Sequence, residues 1–125
     1  MGLDQYAFWS KPDYKTDECG RPVFADDELT KISYWRKHPN LEGFMARKWK
    51  EAGNEEEFNC QMLEITEGIV NELEDCIGLK ELPETEGFFF GSNADDYYEA
   101  TDWQFVHAAR ALIQAGQKVW YTSWW

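Results

Sequence analysis

Basic charge is scarce in this chain: 12 Lys and Arg stand against 24 Asp and Glu, a formal net charge of −12. Nucleic acid is therefore excluded as a direct partner, because phosphate binding needs clustered cations. Long apolar runs are missing as well. Nothing approaches the ~20 consecutive apolar residues of a membrane span, so no membrane partner is expected. Cysteine is limited to Cys19, Cys60 and Cys76, an odd number at wide spacing that fits neither a disulfide framework nor a zinc site. Reduced thiols and a cytoplasmic location are the simplest expectation. The segment Met1 to Lys15 carries Asp4, Lys11 and Asp13, so no signal peptide is expected. Histidine is confined to His38 and His107, and neither belongs to a triad, zinc or nucleophile-elbow pattern. No catalytic residue, metal or cofactor is assigned. Repeats and low-complexity linkers are absent too, and residues 1–125 are expected to form a single α+β domain.

What the chain does have is aromatic side chains, 17% of its residues, enough to fill a core. Its charge is also unevenly spread: residues 31–50 are net +5 and residues 51–86 net −11. Leu3 to Trp9 reads as an aromatic strand ending in the turn cluster Ser10-Lys11-Pro12-Asp13. Residues 13–30 read as a long loop with a short extended piece at Val23-Phe24. Lys31 to Arg36 is β-branched and aromatic, which suits a strand. Pro39 then fits the first position of a helix whose apolar face holds Leu41, Phe44, Met45 and Trp49, with Gly53-Asn54 as its stop.

Further on, Phe58 to Leu63 can form a short strand. Thr66 is placed to cap a helix whose stripe is Ile69, Val70, Leu73, Cys76 and Ile77. Gly87-Phe88-Phe89-Phe90-Gly91 reads as a buried strand and residues 92–100 as a loop. Thr101 and Gln104 make a capping-box pattern for a third helix, closed by Gly116. Alternation over Lys118 to Trp125 predicts a last strand, with Val119, Tyr121 and Ser123 on one side. The architecture expected is a single sheet of about four or five strands with three helices packed on it.

Three blocks in order, Met1-Gly2-Leu3-Asp4-Gln5-Tyr6, Tyr34-Trp35-Arg36-Lys37 and Gly87-Phe88-Phe89-Phe90-Gly91, resemble a group of small proteins of tailed phages, cyanophages included, and of some bacteria. The resemblance spans most of the chain, and His38-Pro39 departs from the group's pattern. It implies a phage accessory protein acting in the host cytosol, and it carries no activity.

Two places can hold a ligand. At Tyr34, Trp35, Arg36, Lys37, His38 and Asn40, cations gather where a helix begins, and free N–H groups and the positive end of the helix dipole favour an anion there. Arg36 can grip such a group bidentately while Tyr34 or Trp35 stacks on a ring. The structural alternative is that Tyr34 and Trp35 are strand residues, with Arg36 and Lys37 paired to the acidic segment. The second place is the loop with Ser92, Asn93, Asp95 and Asp96 after the Gly-flanked strand. It has neither a P-loop nor an EF-hand pattern, and two adjacent carboxylates make a poor magnesium site.

The leading expectation is a non-enzymatic accessory protein that binds a host protein through an acidic face built from residues 51–86. The alternative is a small-ligand domain, or a small enzyme, for an anionic ligand such as a nucleotide or phosphorylated metabolite. Its site would lie between the Arg36/Lys37 helix start and the loop at 91–98.

Overall fold

The alternating segment Asp4–Ser10 (β1) lies at the centre of the molecule rather than at its edge. It pairs antiparallel with Thr30–Arg36 (β4) on one side and with Lys118–Trp124 (β6) on the other. Leu63–Ile65 (β5) then adds antiparallel to β6, giving the order β4-β1-β6-β5. Three helices complete the fold: Pro39–Glu51 (α1), Glu67–Gly78 (α2) and Asp95–Gln114 (α3). The computed structural model describes residues 3–36, 38–79 and 95–124, without the side chains of residues 26 and 95–98. Among them the chain is α+β: three helices packed with a four-stranded antiparallel sheet, plus a two-stranded ribbon. No helix among the described residues is long and apolar enough to cross a membrane.

Period-two alternation assigns the two faces of the sheet. Ala7, Trp35, Val119, Tyr121, Leu63 and Ile65 point to the helices and join Leu41, Phe44, Met45, Val70, Leu73, Phe105, Val106 and Ala109 in one buried cluster. Tyr6, Phe8, Tyr34, Trp120 and Trp124 occupy the opposite face. A bulge between Ala7 and Phe8 shifts the register against β4. Residues 13–30, expected as a loop with an extended piece at Val23-Phe24, belong to a strap over 11–29 that holds the small ribbon Lys15–Thr16 (β2) and Pro22–Val23 (β3) and a 3-10 turn at Asp26–Glu28, with Thr30 already in β4. Asp17 organises its tip by accepting from the N–H groups of Cys19 and Arg21. Tyr14 and Phe24 of the strap pack edge-on against Trp120, which is 2% exposed.

The helices start and stop for local reasons. Pro39 opens α1 at a position where its missing N–H is no loss, and Lys48 and Lys50 lie in its last turn, where cations complement the dipole. Gly53, at φ +94°, takes the left-handed backbone that reverses the chain after α1. Thr66 caps α2 by accepting from the Ile69 N–H.

Two expected boundaries are corrected. The strand expected at Phe58 to Leu63 lies at Leu63–Ile65, because Cys60 has a left-handed backbone (φ 61°) that breaks extension and Phe58 turns inward to stack on Tyr121. The third helix starts at Asp95, so Thr101 and Gln104 are internal to it and residues 95–100 are no loop. The run 95–114 contains neither Gly nor Pro, and an uninterrupted helix extends through a capping pattern that nothing breaks. The strand expected at Gly87–Gly91 lies outside the described residues.

Candidate functional site

The start of α1, where cations were expected to await an anion, is closed. His38, Asn40 and Glu42 are 0–2% exposed, and around them converge Gln5 of β1, Tyr121 and Ser123 of β6 and Asp102 of α3, equally buried. The Gln5 amide reads the α1 entry from both ends: its oxygen accepts from the His38 N–H at 2.9 Å and its nitrogen donates to the His38 carbonyl at 3.0 Å. The same nitrogen donates to the Tyr121 hydroxyl at 2.9 Å, and that hydroxyl donates to Glu42 Oε1 at 2.7 Å. Ser123 donates to Glu42 Oε2 at 2.8 Å. Asp102 is held in the same way, one oxygen accepting from Trp35 Nε1 at 2.8 Å and the other lying 3.0 Å from His38 Nε2. Burial, with the neighbouring Glu42 carboxylate, pushes the Tyr121 phenol well above its ordinary value of 10.0.

Each carboxylate here thus has both oxygens engaged by donors of the chain itself. Burying a carboxylate costs several kcal/mol unless such bonds replace its water. The cluster ties β1, β6, α1 and α3 together at one point, and a buried hydrogen-bonded network of this kind favours one core arrangement. Glu42 lies in the first turn of α1, where a negative side chain complements the helix dipole.

The expected site residues are divided between two faces. Trp35, His38 and Asn40 are in the interior. Tyr34 and Arg36 are exposed on the outer face. Lys37, Ser92 and Asn93 lie outside the described residues; Asp95 and Asp96 form the first turn of α3, with side chains that are not described. Gln5, Glu42, Asp102, Tyr121 and Ser123 had not been singled out. Their signal was a polar residue on an apolar stripe. Asp102 precedes Phe105, Val106 and Ala109 at helical spacing, and Glu42 precedes Met45 and Trp49 in the same way.

The outer face presents the opposite chemistry. Tyr6 lies at the centre of a ring cluster, with Tyr34 at 5.0 Å, Trp124 at 4.9 Å and Phe8 at 5.9 Å between centroids. Tyr34 is 40% and Trp124 46% exposed. The Tyr34 hydroxyl donates to Asp4 at 2.8 Å, and that bond raises the Tyr34 phenol above its ordinary value. In the neighbouring row Asp4 is in register with both Arg36 and Trp124. The strap covers the Trp120 end of this face, and at the other end Tyr34 and Trp124 are exposed beside half-buried Tyr6.

Two further features bear on the expectations. The acidic segment is partly bound to the chain's own cations: Glu56 to Arg21, Glu64 to Lys118, Glu72 to Lys48 and Glu74 to Arg110. Arg110 holds Glu74 below the usual carboxylate range. A cleft of about 710 Å³ lies between the strap and the end of α1, lined by Tyr14, Arg21, Lys48, Trp49, Cys19 and Cys60 among others. Its volume is within the range of ligand pockets, about 300–1,000 Å³, but both named cations are already engaged by glutamates. Among the described residues, no group of three or more His, Cys, Asp or Glu is arranged to hold a metal. No family model, curated protein or solved structure matches the chain.

Proposed function

We propose that this protein acts by docking a partner protein on the outer face of its sheet. The observation that carries this reading is the pair of exposed rings, Tyr34 and Trp124, packed around half-buried Tyr6 on a face whose other end is covered. Large rings left exposed together forgo the stabilisation of burial, and Trp and Tyr are the residues that most often anchor protein interfaces. The excess of negative charge adds long-range attraction for a basic partner and speeds encounter. This moves the working surface from the acidic segment, partly neutralised by Arg21, Lys48, Arg110 and Lys118, to the rings, and keeps the acids in a steering role. The resemblance to small phage proteins makes a host protein the expected partner.

The test compares two immobilised baits, the wild type and a Tyr34→Ala/Trp124→Ala variant, against host lysate. The reading requires a protein retained by the first and lost from the second, at matched melting temperatures. Identical recovery on both baits overturns it.

A further inference from the structure

We propose that a second cleft, at the Ser10 end of β1, is a binding site for an arginine side chain carried by a basic polypeptide. It encloses about 340 Å³, at the small end of the range for ligand pockets, which suits one side chain and not a large molecule. Trp9 and Phe24 supply aromatic wall, and Asp13, Asp27 and Glu28 face it against Lys11 as the single cation among its lining residues. Trp9 belongs to β1 and the other five to the strap, so the cleft exists because the strap folds back on that end of the sheet.

Charge sets this cleft apart. Elsewhere the chain answers its acids with its own cations, pairing Glu56 with Arg21, Glu64 with Lys118, Glu72 with Lys48 and Glu74 with Arg110. Among the described residues, the Asp13 and Asp27 carboxylates have no hydrogen-bond or ion-pair partner. Glu28 uses one oxygen to accept from the Ala25 N–H and meets no cation. Lys11 lines the same cleft and forms no ion pair with any of the three. The negative field inside the cleft is thus left for a cation from outside the chain.

The arrangement selects which cation. No group of three or more His, Cys, Asp or Glu among the described residues is arranged to hold a metal, so the three carboxylates are spread along the cleft and do not converge on one point. A point charge, such as a metal ion or a Lys ammonium, reaches carboxylates of that kind one at a time. A guanidinium is a planar fork whose five N–H donors serve separated carboxylates together. It is also weakly hydrated and stacks on aromatic rings, which suits a wall built from half-buried Trp9 and Phe24. The proposal takes from the docking reading only that the partner is basic, and it adds the residue type that this partner inserts and the place where it goes.

The test titrates the full chain with short Gly/Ser peptides that differ at one central residue, Arg, Lys or citrulline, the neutral isostere of Arg, and follows backbone and indole N–H signals by NMR. The Arg peptide is expected to shift the Trp9 indole and the strap, with an affinity at least about fivefold above the Lys peptide and at least about tenfold above citrulline. Asp13→Asn and Asp27→Asn are each expected to weaken it by about threefold to tenfold. Glu57→Gln removes the same charge from an exposed side chain outside the cleft and should stay within about twofold. All three substituted side chains are exposed, and circular dichroism checks that the variants fold. Equal affinity for Arg and citrulline, a Lys peptide that binds as well as Arg, or a Glu57→Gln loss equal to that of Asp27→Asn overturns the proposal. Binding abolished by Tyr34→Ala/Trp124→Ala but not by Asp13→Asn or Asp27→Asn overturns it too and leaves ring-face docking standing. Arg binding in the cleft together with identical lysate recovery on the two baits supports the cleft and overturns docking on the rings.

Discussion

On one face of the β4-β1-β6 strands Gln5, Tyr121 and Ser123 reach polar partners in the interior, whereas on the other Tyr34 and Trp124 leave aromatic rings exposed around half-buried Tyr6. Neighbouring residues of the same strands, Gln5 and Tyr6 or Ser123 and Trp124, thus depart from the ordinary rule in opposite directions. Each departure costs stability, and each is informative for that reason. The interior cluster offsets its cost through hydrogen bonds that engage both oxygens of Glu42 and of Asp102 across four elements, which favours one packing of helices on sheet. The outer rings gain less within the chain, contacts among themselves and the Tyr34–Asp4 bond, and it is this shortfall that the proposed partner would make good. The two tyrosines summarise the contrast: Tyr121 is buried against Glu42, and Tyr34 is exposed and bonded to Asp4.

The largest effect should come from breaking the interior. Asp102→Ala removes the acceptor of both Trp35 Nε1 and His38 Nε2, and Glu42→Ala strands Tyr121 and Ser123. Each is expected to cost about 3–5 kcal/mol in urea unfolding, the usual penalty for removing one side of a buried charged network. The inside-outside comparison fails if either is tolerated like a surface change.

Tyr121→Phe is smaller, about 1–3 kcal/mol at neutral pH, because it leaves Glu42 short of a donor in the interior. It also has a pH signature. The folded-state pKa of Tyr121 is raised above the ordinary 10.0, so its contribution is fully present below pH 10 and declines as pH rises through the folded value. Wild-type stability should therefore fall above pH 10 with a slope that Tyr121→Phe reduces. Absorbance titration sharpens the contrast, with both phenols displaced above their ordinary value and buried Tyr121 displaced further than exposed Tyr34.

On the outer face, Trp124→Ala and Tyr34→Ala should each change stability by no more than about 1 kcal/mol, one aromatic contact's worth, while abolishing partner retention. Loss of the fold in either variant would make these rings structural and remove the distinction. The smallest effect is expected at the exposed pair of Arg110 and Glu74. Arg110→Ala should shift the melting temperature slightly, and less at high salt, since solvent screens such pairs.

Much of the framework could be read directly from residue order. Pro39 and Gly53 delimit α1, Thr66 opens α2, and alternation over Lys118–Trp124 places Tyr121 and Ser123 on one side. Asp95–Ala100 was harder, because a capping pattern at Thr101 competed with a run free of helix breakers, and propagation prevailed. At the candidate site, Tyr34 through Asn40 drew attention as cations and rings at a helix start, and of these Trp35, His38 and Asn40 are buried. Which face each residue serves was hidden. A strand turning into a helix sends Tyr34 and Arg36 outward and Trp35, His38 and Asn40 inward, and the partners they meet lie far along the chain.

Local order alone determined that this protein has an acid excess, abundant rings, and most of the segments that become β1, β4, β6, α1 and α2, because those properties depend on neighbours a few residues apart. Tertiary structure decided what the rings and carboxylates do. By placing β1 between β4 and β6 it joined Gln5 to Tyr121 across 116 positions and His38 to Asp102 across 64. The same placement put Tyr6 between Tyr34 and Trp124. Contacts of that range depend on how the chain closes on itself, and no local spacing encodes them.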